Sequence, residues 1–128
     1  MKKRVLVVDD SDIVLTMARD ALEEGGFEVV TALNAKEADA CIFSQARPDL
    51  IILDVMLPIL DGDKKARMLK DNAVTRDIPI LLLSSKPEDE LHFLVKESGS
   101  DGYIRKPFAH RQLVMKVEES LRAAAGKG

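Results

Sequence analysis

Five short runs rich in Val, Ile and Leu alternate with longer stretches of helical spacing, and this alternation most constrains the fold. Strands that alternate with helices predict a parallel sheet with helices on both faces. The first, third and fourth runs are almost uninterrupted apolar segments, as strands buried on both faces require. We therefore expect an α/β protein with a doubly wound, five-stranded parallel sheet and five helices. The five runs are Val5–Val8, Glu28–Thr31, Leu50–Leu53, Ile80–Leu83 and Gly102–Ile104.

The helices are delimited by apolar spacing and by capping or helix-ending residues. The first is expected to end at Gly25, and the second to begin at Asn34, where a cap is followed three residues later by Glu37. The other three helices are predicted over 63–72, 87–98 and 109–124. The stripe that the first helix buries is predicted to be Ile13, Met17, Ala21 and Leu22.

Four polar or charged residues in and near these helices allow further predictions. Lys65 stands where an apolar residue is expected, so the third helix is predicted to pack loosely or to place the ammonium group at the surface. Ser85 begins Ser-Lys-Pro-Glu, which resembles a capping box and leaves Ser84 free for another task. His92 and His110 are predicted to be surface residues without partners.

Composition and charge limit the classes of function. A chain of 128 residues that is 46% hydrophobic and 32% charged can bury the core of one domain. Its net charge of -3 argues against direct binding of nucleic acid, which selects basic surfaces. No apolar run approaches the ~20 residues of a membrane span. Cys41 is the only cysteine, which excludes an internal disulfide and a thiolate metal cluster, and the expected setting is a reducing cytoplasm.

Polar side chains follow four of the five predicted strands. The carboxyl ends of parallel strands lie at one edge of the sheet, where ligands of such folds bind. We therefore expect these side chains to meet, so that one edge collects three acids, a hydroxyl and an amine. They are Asp9 and Asp10 after the first strand, Asp54 after the third, Ser84 after the fourth and Lys106 after the fifth.

Three neighbouring carboxylates need a proton or a cation. Two of them ~4 Å apart repel by roughly 4 kcal/mol at an effective dielectric constant of 20. A raised pKa that retains a proton is one remedy, and a hard divalent ion is the other. The candidate ligands are oxygen atoms, without His or Cys, which favours Mg²⁺ over zinc.

The same set of groups suits phosphoryl chemistry. Lys106 supplies a fixed positive charge and Ser84 a hydrogen-bond donor for an incoming phosphoryl group. A carboxylate among them can act as the nucleophile and form an acyl phosphate, and Asp54 on the central third strand is the best candidate. Taken alone, Ser11 or Asp12 can simply cap the first helix, but the joint occurrence at four strand ends favours a site.

Four segments together resemble the receiver domain of two-component response regulators. The resemblance extends from Arg4 to about Leu121. Its motifs are specific as a set: paired acids, an Asp before Leu-Pro-x-x-Asp-Gly, a hydroxyl after the fourth strand, and Lys-Pro-Phe. The resemblance implies a chemotaxis-type, flavodoxin-like fold with strand order 2-1-3-4-5. The segments are VLVVDDS, PDLIILDVMLPILDG, IPILLLSS and GSDGYIRKPF.

The resemblance also implies a phosphorelay function. Asp54 would be the phosphoacceptor, which receives its phosphoryl group from a phosphohistidine of a sensor histidine kinase. Mg²⁺ would be bound directly by Asp10, Asp54 and the backbone carbonyl of Met56, and through water by Asp9. The protein would then be a signalling domain that catalyses only its own phosphorylation and slow self-dephosphorylation.

Further roles follow from the same resemblance. Lys106 would pair with the phosphoryl oxygens, and Ser84 would turn in to hydrogen-bond one of them. Ser84 and Tyr103 would form the switch, with Tyr103 filling the space that Ser84 vacates and thereby reshaping the surface of helix 4, strand 5 and helix 5. The Lys106–Pro107 peptide bond is expected to be cis.

The expected partners are proteins. They are a sensor histidine kinase or phosphotransfer protein and an unidentified downstream target, with no direct contact to nucleic acid or membrane. The chain is expected to be a monomer or a homodimer that depends on phosphorylation. Residues 1–124 are expected to form the receiver domain and 125–128 a C-terminal tail or linker stub. A stand-alone receiver and the N-terminal part of a longer regulator both suit this organisation.

Two other classes of protein use related motifs. Residues 10–14, DSDIV, fit the start of haloacid-dehalogenase-type phosphatases, in which Asp10 would be the nucleophile. Such an enzyme also needs a later acidic pair, and nothing after Lys106 supplies one. A flavin-binding protein needs a Ser/Thr/Gly-rich loop after the first strand, whereas this loop is acidic. The aspartate that becomes phosphorylated, Asp54 or Asp10, distinguishes receiver from phosphatase.

Overall fold

Five strands and five helices alternate along the chain in the computed structural model, which describes residues 2–126. This confirms the predicted fold class. The strands are β1 (Arg4–Val8), β2 (Glu28–Ala32), β3 (Leu50–Asp54), β4 (Ile80–Ser84) and β5 (Gly102–Arg105). The helices are α1 (Asp12–Glu24), α2 (Ala35–Ile42), α3 (Gly62–Lys70), α4 (Glu88–Ser98) and α5 (His110–Gly126).

All strand pairs are parallel, and the strand order is β2-β1-β3-β4-β5, as expected. Strand β3 pairs with β1 on one side and with β4 on the other. Its last residue, Asp54, therefore lies near the middle of the carboxyl edge. This edge is where ligands bind in open α/β sheets.

The sheet separates two apolar cores, because successive residues of a strand point to opposite faces. Val5 and Val7 pack with residues of α1 and α5, whereas Leu6 and Val8 pack with residues of α2, α3 and α4. Every residue of β3 and β4 is buried. These rigid, doubly covered strands hold the side chains at their carboxyl ends in fixed positions.

Helix α1 buries a different stripe from the predicted one. Ser11 is its N-cap, and the Ser11 hydroxyl accepts a hydrogen bond from the backbone nitrogen of Val14 at 3.4 Å. Ile13 is 74% exposed and Met17 38% exposed, so the prediction that they face the core is wrong. Both stripes share Ala21 and Leu22, and apolar spacing alone does not separate them. The buried residues are Leu15, Ala18, Ala21 and Leu22.

Helices α3 and α5 differ from their predictions in detail. Lys65 of α3 is buried, and its ammonium group pairs with the carboxylate of Asp39 on α2. The expected loose packing or surface ammonium is wrong, because the neighbouring helix supplies a partner. Helix α5 continues to Gly126, past the expected domain end at 124, and residues 127–128 of the expected tail lie outside the described residues.

The start of helix α4 lacks the predicted capping box. Its N-cap residue is Pro87, no side-chain cap is present in the described structure, and Ser85 is exposed. Instead, the hydroxyl of Ser84 accepts a hydrogen bond from the backbone nitrogen of Lys86 at 3.0 Å. The turn after β4 is therefore closed by Ser84, and Ser85 has no such role. None of the helices between residues 2 and 126 has the length and apolar character of a membrane span.

Candidate functional site

Three carboxylates meet where β1 and β3 end at the carboxyl edge of the sheet. Asp9, Asp10 and Asp54 each offer one oxygen atom, and these three atoms lie within 4.8 Å of one another. Asp9 and Asp54 are buried and Asp10 is exposed. The structure thus brings together the three acids that the sequence predicted to converge, and it leaves the cluster open to solvent on the side of Asp10.

Short turns after the two strands orient the buried acids. Oδ1 of Asp9 accepts a hydrogen bond from the backbone nitrogen of Ser11 at 2.9 Å. Oδ1 of Asp54 accepts one from the backbone nitrogen of Met56 at 3.1 Å. In both residues the second oxygen, Oδ2, is not used by the turn and faces Lys106 instead. Each carboxylate is therefore held by its own loop with one oxygen available for other partners.

Lys106 completes the cluster from the loop between β5 and α5. Its Nζ lies 2.8 Å from Oδ2 of Asp9 and 3.4 Å from Oδ2 of Asp54. The Lys106–Pro107 peptide bond is cis, as expected. Oδ2 of Asp9 is fully buried, and among the described residues its partner is the ammonium group of Lys106. The cluster thus holds a buried carboxylate oxygen whose charge is balanced by Lys106.

The charges of the cluster shift the protonation of its members. Burial and then the negative charge of Asp9 raise the pKa of Asp54 to about 6, although Lys106 opposes the shift. Burial alone would lower the pKa of Lys106, but its contacts with Asp9 and Asp54 outweigh burial and raise it. Lys106 therefore stays charged, whereas Asp54 changes its protonation state near pH 6, closer to neutrality than an ordinary carboxyl group.

This donor set fits a hard divalent cation. It offers three carboxylates whose oxygen atoms converge within 4.8 Å, and Lys106 is the one cation that contacts two of them among the described residues. Mg²⁺ prefers oxygen ligands and keeps several of its waters, so it suits a cluster of a few carboxylates that is open on one side. Met56 follows Asp54 by two residues, and its own carbonyl is an additional candidate ligand.

The two predicted switch residues lie on the neighbouring strands. Ser84 is the last residue of β4, one position beyond the residue that pairs with Asp54. Tyr103 lies on β5, and its hydroxyl contacts Glu88 and His92 at the exposed edge of α4. The prediction that His92 lacks a partner is therefore wrong. The other histidine, His110, was also expected to be unpartnered, but its Nδ1 lies 3.8 Å from Glu24.

Gly62, the first residue of α3, and Ile59, in the loop before it, have backbone constraints that the sequence reasoning missed. A Cβ atom added at Gly62 would overlap the carbonyl oxygen of Asp54, so only glycine allows α3 to start this close to the site. Ile59 has a φ of 71° and a fully exposed side chain. The Asp-Gly pair in the loop motif was the available signal for Gly62, whereas the apolar character of Ile59 gives no sign of a left-handed backbone.

Comparisons with known proteins agree with this geometry. A family model described as the response regulator receiver domain matches residues 5–118. The phosphate regulon transcriptional regulatory protein PhoB of Pseudomonas aeruginosa is 42% identical over 94% of this chain. The alkaline phosphatase synthesis transcriptional regulatory protein PhoP of Bacillus subtilis is 39% identical over 95% of it. The matched regions are 52% of that PhoB and 50% of that PhoP, so the chain spans about half the length of these regulators.

Solved structures give the same result. The chemotaxis response regulator CheY4 of Vibrio cholerae superposes with a TM-score of 0.86 at 31% identity, over 94% of this chain and 99% of that one. A CheY-like receiver domain protein of Methanospirillum hungatei superposes with a TM-score of 0.88 at 27% identity, over the whole of both chains. These comparisons do not support the alternative of a haloacid-dehalogenase-type phosphatase. The chain belongs to the response regulator receiver domain family of two-component systems.

Proposed function

We propose that Asp54 accepts a phosphoryl group from a phosphohistidine of a sensor histidine kinase or phosphotransfer protein. One observation carries this proposal: the oxygens of Asp9, Asp10 and Asp54 converge within 4.8 Å, and Lys106 contacts two of these acids. The arrangement places a nucleophilic carboxylate, a cation site and a fixed ammonium group side by side. These are the groups that phosphoryl transfer to an aspartate requires.

The transfer exchanges a nitrogen–phosphorus bond for an oxygen–phosphorus bond. The bond to the donor imidazole breaks and leaves its electron pair on the ring nitrogen, while a carboxylate oxygen of Asp54 bonds to phosphorus. Because Oδ1 of Asp54 is engaged by the backbone of Met56, Oδ2 is the proposed nucleophile. Mg²⁺ bound by Asp10, Asp54 and the carbonyl of Met56, and by Asp9 through water, would offset the charge on the phosphoryl oxygens.

Lys106 and Ser84 are the proposed partners of the phosphoryl group. The ammonium group of Lys106 already faces Oδ2 of Asp54, so it can pair with a phosphoryl oxygen bound there. The hydroxyl of Ser84 accepts a hydrogen bond from Lys86 and can donate its own proton when it turns inward. Tyr103 then moves into the vacated space and changes the surface formed by α4, β5 and α5, which a downstream protein reads.

The experiment is phosphorylation with acetyl phosphate and Mg²⁺, followed by intact-mass measurement and peptide mapping. The wild-type chain should gain one phosphoryl group on Asp54, and Asp54→Asn should gain none while retaining its fold. Asp12→Asn is a matched control, because Asp12 is a nearby acid at the start of α1 outside the cluster. Phosphate on Asp10, or unchanged labelling of Asp54→Asn, would contradict the assignment.

The proposed receiver unit is residues 1–124, acting in a reducing cytoplasm as a monomer or as a homodimer formed after phosphorylation. Its only catalysis is its own phosphorylation and slow self-dephosphorylation. Size-exclusion chromatography with and without acetyl phosphate distinguishes the two oligomeric states.

A further inference from the structure

Glu88, His92 and Tyr103 form a cluster that the proposed chemistry at Asp54 does not use. Glu88 and His92 lie one helical turn apart on α4, and Tyr103 lies on β5, which α4 contacts. The hydroxyl oxygen of Tyr103 lies 3.2 Å from Nε2 of His92 and 3.4 Å from Oε1 of Glu88. The rings of His92 and Tyr103 meet edge to face, with centroids 5.2 Å apart. Three contacts therefore hold one aromatic side chain.

One arrangement of hydrogens satisfies both polar contacts. Burial and then the charge of Glu88 raise the pKa of Tyr103, so its hydroxyl keeps its proton at neutral pH. A carboxylate can only accept, so the hydroxyl donates to Glu88 and accepts from Nε2 of His92. His92 thus donates to the hydroxyl group, and Glu88 accepts from it.

The cluster borders a groove of about 510 Å³ between α4, β5 and α5. The ring of Tyr103 packs against the core formed with α4, whereas its hydroxyl reaches the exposed edge of that helix. Movement of the ring toward the site at Asp54 would break the contacts with Glu88 and His92 together. The energy of these contacts therefore favours the outer position of the ring.

We infer that Glu88 and His92 form a latch that holds Tyr103 at the surface and opposes the switch. Both are positioning residues, since they act through Tyr103 and do not touch the phosphoacceptor. The inference rests on the proposed function, in which Tyr103 moves inward when Asp54 carries a phosphoryl group. It assigns to α4 a part in setting how readily the domain switches.

The sequence supplies a direct probe, because it contains one tyrosine and no tryptophan. Intrinsic fluorescence therefore reports Tyr103 alone. The wild-type chain and variants are titrated with beryllofluoride in the presence of Mg²⁺, and fluorine NMR measures the occupancy of Asp54 independently. His92→Ala removes the ring from an exposed helical position, and His92→Gln restores an amide donor. His110→Ala is the matched control, since it removes the other exposed histidine.

The half-saturating beryllofluoride concentration should fall about three- to fivefold in His92→Ala, the factor expected for losing one hydrogen bond from the unswitched state. Without beryllofluoride, the fluorescence of His92→Ala should move part of the way toward that of the saturated wild type. The midpoint and the starting fluorescence of His92→Gln should lie between those of the wild type and His92→Ala. Both quantities should be unchanged in His110→Ala.

Equal midpoints for His92→Ala and wild type, with normal fluorine signals, would overturn the latch and leave the proposed function standing. If the fluorine signals show that beryllofluoride binds but the fluorescence of Tyr103 in the wild type does not change, the latch and the role of Tyr103 are both overturned. Absence of a bound fluorine signal in the wild type, even with Mg²⁺, would instead contradict the phosphoacceptor site itself, and the latch with it.

Discussion

Nζ of Lys106 lies 2.8 Å from Oδ2 of Asp9, so an ion pair joins the loops that follow β5 and β1, two strands that are separated by β3 and β4. The side chain of Asp9 is fully buried and that of Lys106 is 23% exposed. A buried charge without its partner is costly, because neither water nor a counter-ion replaces the lost contact. The pair therefore contributes to stability as well as to the site.

Replacing Lys106 with Met should lower the free energy of unfolding by about 1–3 kcal/mol in the absence of Mg²⁺, since it leaves Asp9 and Asp54 without their cation. Mg²⁺ should recover part of this loss by binding the three carboxylates in place of the lost ammonium group. Urea unfolding at neutral pH, with and without Mg²⁺, measures both effects. Lys86→Met is the matched control: it removes a surface pair with Glu90 and should change stability by less than about 0.5 kcal/mol. Equal effects of the two substitutions would contradict the importance of the buried pair.

Without Mg²⁺, stability should fall as the pH rises through the pKa of Asp54. Its folded-state pKa of about 6 is raised from 3.8, so the folded state binds the proton more tightly than the unfolded chain. This contribution is fully present below pH 3.8 and is lost as the pH passes about 6, a change of about 1–3 kcal/mol. Asp54→Asn should abolish it.

The measurement is the difference in the free energy of unfolding between Asp54→Asn and wild type at several pH values from about 4 to 7. Asp54→Asn should become progressively the more stable protein as the pH increases. Because groups outside the cluster titrate equally in both proteins, the difference reports Asp54 together with the groups coupled to it. A constant difference across this range would show that folding does not shift the pKa of Asp54.

The fold and most of the site could be predicted because they depend on local patterns. Five apolar runs set the sheet, and the polar residues that follow four of them, such as Asp54 and Ser84, are placed by the direction of their strands. The wrong predictions concern contacts between elements. The partner of Lys65 lies on another helix, 26 positions away, and that of His92 lies on β5, 11 positions away, so neither leaves a trace in local spacing.

The prediction of which residues α1 buries was wrong for a related reason. Two overlapping apolar series run along this helix, and only the packing against the sheet and α5 selects the one containing Leu15 over the one containing Ile13. The left-handed backbone of Ile59 could not be predicted from the sequence either, because β-branched residues normally avoid this conformation. Tertiary packing decides such positions against local preference.

The ion pair between Lys65 and Asp39 should stabilise the protein chiefly by preventing an unpaired buried charge. The side chain of Lys65 is 6% exposed and that of Asp39 is 45% exposed. Asp39→Ala should therefore lower the free energy of unfolding by about 1–3 kcal/mol. Lys65→Met, which fills the same volume without charge, should be neutral or stabilising.

Urea unfolding of the two single variants and the double variant tests this interaction through a double-mutant cycle. In the background of Lys65→Met, the loss of Asp39 should cost little, because no buried ammonium group remains. Additive effects of the two substitutions would show that the residues act independently.

Ile59→Gly should stabilise the protein, against the usual effect of removing an apolar side chain. The side chain is fully exposed, so little burial is lost, and φ at this position is 71°. A non-glycine residue with this φ is strained by about 1–2 kcal/mol, and glycine relieves that strain. Glycine also has greater freedom in the unfolded chain, which offsets part of the relief, so the free energy of unfolding should rise by about 0.5–1 kcal/mol. Ile13→Gly makes the same chemical change at an exposed helical position and should instead destabilise by up to about 1 kcal/mol. Thermal and urea unfolding measure the sign of the stability change in both variants. Destabilisation by Ile59→Gly would contradict backbone strain in this loop.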